Sequence, residues 1–257
     1  MRSHNDMNIG QHSQQASHYA RLTNALATDR TAALCRLVGA RSDDDLLDVA
    51  CGPGSLAIEL APHVASASGL DLTPAMLAEA RLAGARSRCD DIVWIEGDAA
   101  ALPVADGSFS LVASRAAFHH FERPEQVLSE MVRVCRPGGR VVVIDVTPDP
   151  EKTAAYDRME RMRDPSHGHA HSFAELRAMG DRLGLGEPRL EARMSGPMPF
   201  QRVLETSFPD GHSREELLEL MREDAATGED RLGFRAEMAE GQVMVTYPMS
   251  TIVWTRP

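Results

Sequence analysis

The chain has 257 residues, of which 43% are hydrophobic, enough apolar material for one large α/β domain or two small ones. Its formal net charge of −11 argues against a general nucleic-acid binder and leaves a small or neutral molecule as the simplest partner. No long uncharged apolar run occurs, so neither a membrane span nor a secretion leader is expected, and the scattered Cys35, Cys51, Cys89 and Cys135 read as reduced thiols of a cytoplasmic protein.

Residues 1 to about 15 are polar and read as a mobile start. From Ala16 to Val38, Tyr19, Leu22, Leu26, Ala33, Leu34 and Leu37 recur at the helical period, with a break near Asp29 and Thr31. Gly39 is a stop, and Ser42 to Asp45 a solvated loop. Leu46 to Val49 then reads as a short buried strand, Cys51-Gly52-Pro53-Gly54 as a tight turn, and Ser55 to Leu60 as a helix. Further strands are predicted at Val64–Leu70, Ile92–Ile95, Phe109–Ser114 and Arg140–Asp145. Between them lie a helix opened by Thr73 and Pro74 and one over Pro124–Val134. Strands alternating with helices predict an α/β fold with a mostly parallel sheet covered on both faces. Ligands of such sheets sit beyond the carboxyl ends of the strands.

The last hundred residues are less regular. Thr153–Arg163 reads as a polar helix and Ser172–Leu185 as an amphipathic one, opened by the capping-box pair Ser172 and Glu175. Leu190–Met194 is a strand candidate. Residues of about 199–226 read as two helices with a second capping box at Ser213 and Glu216, and Gln242–Trp254 as one long closing strand. The stretches 146–171 and 196–241 read as insertions over the ligand edge of the sheet, where selectivity is usually carried.

The turn Gly52-x-Gly54-x-x-Ala57 lets a ligand approach the main chain beside a helix N-terminus. By itself it also fits the dinucleotide fingerprint, which keeps a nicotinamide-dependent oxidoreductase in play. Three carboxylates follow three strands. Asp71, about twenty residues past the turn, is placed to accept both hydroxyls of a ribose. Asp98-Ala99 suits an adenine N–H donor better than it suits NAD. Asp48 is placed to orient a positively charged or amino-acid tail.

The runs Asp48-Val-Ala-Cys-Gly-Pro-Gly, Gly69-Leu-Asp-Leu-Thr-Pro-Ala-Met-Leu, Glu96-Gly-Asp-Ala-Ala-Ala-Leu-Pro-Val-Ala-Asp-Gly-Ser-Phe and Arg133-Val-Cys-Arg-Pro-Gly-Gly-Arg come in this order. Together they resemble the successive motifs of class I S-adenosylmethionine-dependent methyltransferases, and most of all the ubiquinone/menaquinone-biosynthesis-like small-molecule group. The resemblance covers about residues 15–190, with Ala50 standing where the family often has a glycine. It implies a Rossmann-like sheet, mostly parallel with one antiparallel strand, helices on both faces and helical insertions forming a lid. Residues 1–42 would be a helical segment covering the cofactor, and 43–257 the methyltransferase domain. It implies S-adenosyl-L-methionine as cofactor and a C, N or O nucleophile of a small organic acceptor, in secondary metabolism or quinone-type biosynthesis. The expected protein is a monomer or homodimer that acts without nucleic acid or membrane.

Carried over by position, Ala50, Gly52 and Gly54 approach the donor and Asp48 orients its tail. Asp71 holds the ribose, Leu72 and Met76 pack beside the adenosine, and Asp98 with the Ala99 N–H holds the adenine. Ser114 and Arg115 lie near the sulfonium, and Gln15 and Tyr19 sit on a helix that closes over the donor. Catalytic candidates are His119 and His120, after the fourth strand, and His167, after the fifth, where a base could take a proton from the nucleophile. His167, His169 and His171 alternate, but without a nearby acidic or cysteine partner such a run reads as a polar loop, and the sulfonium is already an excellent leaving group, so no metal is expected. A non-methylating cyclase or regulator on the same fold is the other alternative.

Overall fold

The computed structural model describes residues 4–24 and 31–257, by backbone alone at 4, 18–24 and 192–194. In chain order the strands are β1 (Asp45–Val49), β2 (Ser66–Asp71), β3 (Val93–Glu96), β4 (Phe109–Arg115), β5 (Cys135–Val146), β6 (Arg189–Met194), β7 (Met198–Pro199), β8 (Glu237–Ala239), β9 (Gln242–Val245) and β10 (Pro248–Thr255). The helices are α1 (His4–Asn24), α2 (Thr31–Val38), α3 (Ser55–Leu60), α4 (Pro74–Arg86), α5 (Pro124–Val134), α6 (Thr153–Arg163), α7 (Phe173–Arg182), α8 (Phe200–Glu205) and α9 (Arg214–Thr227).

Seven strands form one sheet in the order β3-β2-β1-β4-β5-β10-β6. The first five pair in parallel, and β10 runs antiparallel to both of its neighbours. This is the expected mostly parallel sheet with one antiparallel strand. Successive residues of a strand face opposite sides, so Leu46 and Leu47 part company. Leu47 joins Val112, Val143, Leu128 and Met131 under α5, while Leu46 joins Leu111, Val142, Leu56 and Leu60 under α2 and α3. Both faces being covered, the strands read as nearly continuous apolar runs. Strand order reverses between β1 and β4, and the crevice at that point opens beyond their carboxyl ends.

Three expectations are corrected. The polar stretch 4–15 is helical, not loose, and belongs to α1. Its sequence lacks an apolar stripe, and polar bonds hold it instead. Gln242–Trp254 is not one strand, because β9 pairs with β7 and β8 in a separate three-stranded sheet while β10 joins the main one. The fifth strand starts at Cys135 rather than Arg140, so Arg136-Pro137-Gly138-Gly139 lies inside β5, as a bulge opposite Phe109–Leu111. A Cβ on Gly139 there would lie 2.6 Å from Cys135 Sγ. The regions 146–171 and 196–241, separate in sequence, share a third apolar cluster joining Tyr156 and Met159 of α6 to Phe200, Leu217, Phe234 and Val245. No helix among the described residues is long and apolar enough to cross a membrane.

Candidate active site

The crevice is a cavity of about 1230 Å³. Single small-molecule sites commonly measure ~300–1,000 Å³, so it has room for two ligands side by side. At one end stands Asp48, the last residue but one of β1. Its Oδ2 accepts the Ala57 N–H at 3.1 Å, while its buried Oδ1 has no partner. Burial pushes its pKa up to about 7, with the Arg115 charge opposing and Asp71 adding to the rise. An unpartnered buried carboxylate oxygen on a cavity wall suits a cationic group of a ligand. Ala50 and Gly52 follow in the left-handed region, at φ 55° each. A Cβ on Gly52 would meet nothing within 4 Å, so the wall is open there. Asp71 ties this turn to β2: its Oδ2 accepts the Gly52 N–H at 2.7 Å and its Oδ1 the Thr73 N–H at 2.8 Å. Each oxygen keeps a lone pair for a vicinal diol.

Leu72, Met76, Asp98 and Ala99 continue the wall. Asp98 Oδ1 accepts the Ala100 N–H at 2.8 Å, and its Oδ2 takes Asn5 of α1 at 3.2 Å. The same helix lays Asn8 on the His120 carbonyl at 3.3 Å and Gln15 on Asp164 at 2.8 Å, so it bridges both ends of the cavity. Arg115 lines the wall but is turned to α3, where it meets Glu59 at 3.1 Å and Ser55 Oγ at 2.8 Å. The expected Tyr19 contact falls on a side chain outside the described residues.

Three predicted contacts do not line the cavity. Gly54 faces a neighbouring ring: a Cβ there would sit 2.4 Å from the Trp94 ring, so this glycine admits a tryptophan rather than a ligand. Ser114 is buried on the face of β4 opposite Arg115, its hydroxyl unpartnered. His167 is buried behind His119, its Nε2 held by Asp157 Oδ1 at 2.8 Å. Asp157 also accepts His169 Nδ1 at 2.7 Å, and Glu175 meets His169 Nε2 at 3.2 Å. The alternating histidines therefore do have acidic partners, supplied by α6 and α7.

The other end of the cavity centres on His119 and His120, in the short 3-10 turn Phe118–His120 after β4. Asp145, at the end of β5, accepts His119 Nδ1 at 2.6 Å together with the backbone N–H groups of Phe118 and Val146, each at 2.6 Å. Burial alone would raise its pKa, but the His119 ring and these N–H groups outweigh it and keep the carboxyl below its ordinary value. Burial likewise opposes charge on His119, yet Asp145, with Glu160 and Asp164 beyond, raises its pKa. The imidazole is thus fixed by Asp145 at one nitrogen, and His119 lines the cavity. His120 is the opposite case. Burial, then the charges of His119 and His12, push its pKa well down. His12, on α1, stands with its ring 4.8 Å from that of His120, edge-on. It went unpredicted because the polar start of the chain carries no periodic signal. Asp145 went unpredicted as a site residue because it closes a predicted strand of valines and isoleucines and carries no motif of its own. Its only signal was that it follows Asp48, Asp71 and Asp98 as a fourth strand-end carboxylate, in a series that β4, ending in Arg115, interrupts.

Beyond this pair the wall turns apolar, with Val146, Met198, Val203 and Met249, and holds buried Glu160 paired with half-buried Arg163.

Residues 47–143 match the methyltransferase domain family. An uncharacterized methyltransferase of Bacillus subtilis, YcgJ, is 30% identical over 141 residues, 54% of this chain and 56% of that protein. The ubiquinone/menaquinone biosynthesis C-methyltransferase UbiE of Roseobacter denitrificans is 38% identical over 122 residues, 46% of this chain and 49% of the relative. The chain thus spans about half the length of the curated relatives it matches. The solved YcgJ structure from Bacillus subtilis superposes with a TM-score of 0.72 at 21% identity, over 88% of this chain and 98% of that one, a likeness of fold.

Proposed function

We propose that this chain, a member of the class I S-adenosylmethionine-dependent methyltransferases, moves a methyl group from S-adenosylmethionine to a small organic acceptor. The observation that carries the reading is one cavity with two differently equipped ends. The first offers an unpartnered Asp48 oxygen, an open Gly52 wall and the Asp71 carboxylate, in the order that an ammonium tail and a ribose would need. The second offers a histidine fixed by a buried aspartate.

When bound, the donor supplies a methyl group already activated on a sulfonium. The chain's own residues do the rest. Asp48 orients the amino-acid tail, Asp71 takes the ribose hydroxyls, Asp98 takes the adenine amine in place of Asn5, and α1 covers the donor and excludes water. Asp145 accepts the His119 Nδ1–H, which leaves the basic lone pair on Nε2. That nitrogen receives the acceptor's proton as its nucleophilic atom is freed. Most of the rate comes from holding two ligands in line. The matched relative from Roseobacter denitrificans is named a C-methyltransferase of quinone biosynthesis. A phenolic or enolisable ring carbon is therefore the first acceptor to try.

Labelled donor incubated with phenols, quinols, amines and enolisable carbonyls tests this, beside calorimetric titrations with S-adenosylhomocysteine and NADH. The expected result is binding of S-adenosylhomocysteine alone and label transfer to one acceptor class. His119→Gln should then lower kcat by about 10²–10⁴ with little change in donor affinity. Binding of NADH alone, or donor binding without transfer to any member of the panel, would overturn the proposal.

A further inference from the structure

We infer that His12, His120 and Asp164 form a site for one divalent transition-metal ion in the wall of the cavity beside His119. Three separate elements bring them together: α1, the turn after β4, and the end of α6. One ligand atom from each lies within 4.8 Å of the others. Metal bonds of about 2.0–2.1 Å need donor atoms roughly 3.4 Å apart, a spacing that small side-chain rotations give from that starting arrangement.

Two of the three are already oriented as ligands require. His120 Nδ1 lies 3.1 Å from the Ser166 carbonyl. A carbonyl only accepts, so Nδ1 carries the proton and the lone pair is on Nε2. Ligating imidazoles are commonly held in this way, by a backbone carbonyl on the other nitrogen. Asp164 is braced at both oxygens. Its Oδ1 accepts the Ser166 N–H at 3.0 Å and the Ser166 hydroxyl at 2.5 Å, and its Oδ2 accepts Gln15 Nε2 at 2.8 Å. Oδ2 keeps one lone pair. Ser166 therefore orients both the imidazole and the carboxylate. His12 completes the set from a helix whose Gln15 already grips Asp164.

Two imidazole nitrogens and one carboxylate oxygen favour Zn²⁺, Co²⁺, Ni²⁺ or Fe²⁺ over Mg²⁺ or Ca²⁺, which prefer oxygen alone. Three protein ligands on a cavity wall leave a coordination position open to the cavity. A small acceptor with an anionic oxygen next to its reacting atom fits that position, and a hydroxyl would bind there deprotonated, its proton released to solvent.

A second group, His169, His171 and Glu175, also gathers within 4.8 Å. It is less suited, because both nitrogens of His169 are committed to carboxylates and Glu175 closes the α7 capping box. It serves as the internal control. The metal site is read from its own residues and stands whether or not methyl transfer is the activity.

The test uses the full chain, dialysed against a chelator and titrated with Zn²⁺ and Co²⁺ by calorimetry, with the visible spectrum of Co²⁺ as a second readout. The expected result is one ion per chain, no comparable binding of Mg²⁺, and unchanged binding in the double variant His169→Ala/His171→Ala. Gln15→Ala should weaken the ion by about 10–100-fold, as loss of a bracing partner does, and His12→Ala by more. His12 lies outside the three apolar clusters, so its variant should fold even if Asp164→Asn does not. S-adenosylhomocysteine titrated into the same metal-free protein reports separately on the donor end. Absence of Zn²⁺ or Co²⁺ binding, full binding in His12→Ala, or loss of binding in the His169/His171 variant would overturn the site.

Discussion

Asp48 is 1% exposed and has an oxygen with no partner, an arrangement that costs stability and leaves a carboxyl oxygen open on the cavity wall. The cost is titratable. Its folded-state pKa, about 7, lies above the unfolded value of 3.8, so the folded chain binds more protons between those limits. Stability of the ligand-free protein should therefore fall as pH rises from about 4 to about 7, by up to ~1.4 kcal/mol per pH unit from this group. Urea unfolding at several pH values checks the slope. Asp48→Asn should flatten it and raise stability at neutral pH, while weakening S-adenosylhomocysteine. An unchanged slope in that variant would refute the burial argument. Residue-level legibility was uneven here. That a carboxylate before the glycine turn lies on the ligand edge of the sheet could be read from spacing alone. Gly54, in the same turn, was read as a ligand contact because nothing in sequence announces Trp94, a distant residue on β3, as the atom it must clear.

Elements were legible where apolar spacing made them. β1 to β5 and the two capping-box helices carry their own patterns, and the boxes at Ser172–Glu175 and Ser213–Glu216 are formed as expected. α1 was not legible over its first turns, because its attachment is polar: Asn5, Asn8, Gln11 and Gln15 each donate to a different part of the body. Each such bond is worth only about 0.5–1.5 kcal/mol net, so the helix is held by bonds that a ligand could exchange one at a time. Deleting residues 1–16 should leave a cooperatively folding body, yet lower S-adenosylhomocysteine affinity at least about tenfold, the equivalent of ~1.4 kcal/mol. Hydrogen exchange on the intact chain should show α1 opening well before β1 and β4, and slowing when S-adenosylhomocysteine binds. A truncated chain with full donor affinity would show that α1 is not part of the donor's cover.

The whole molecule divides into a sheet with two apolar cores and a cap with a third, and the His119 end of the cavity lies between them. That division was only half visible in the sequence. The two late stretches could be recognised as insertions, but their union depends on contacts such as Tyr156 on Phe234, stacked at 4.5 Å and 15° between residues far apart in the chain. Thr246, Tyr247 and Pro248 send the chain from the cap sheet into the main sheet, a change of partner that alternation alone cannot signal. Because Phe234 is fully buried and belongs to the cap cluster alone, Phe234→Ala should cost about 3–5 kcal/mol, felt first in the cap. Tyr156 lines the cavity, so a loosened cap should raise the acceptor KM several-fold while donor affinity stays within about twofold. Hydrogen exchange should rise across 200–245 and leave β1, β4 and β5 protected. If the sheet strands lost protection in step with the cap, the two parts would be one cooperative unit. A change in the cap would then reach the donor site through the fold itself, and acceptor choice could not be altered there without cost to cofactor binding.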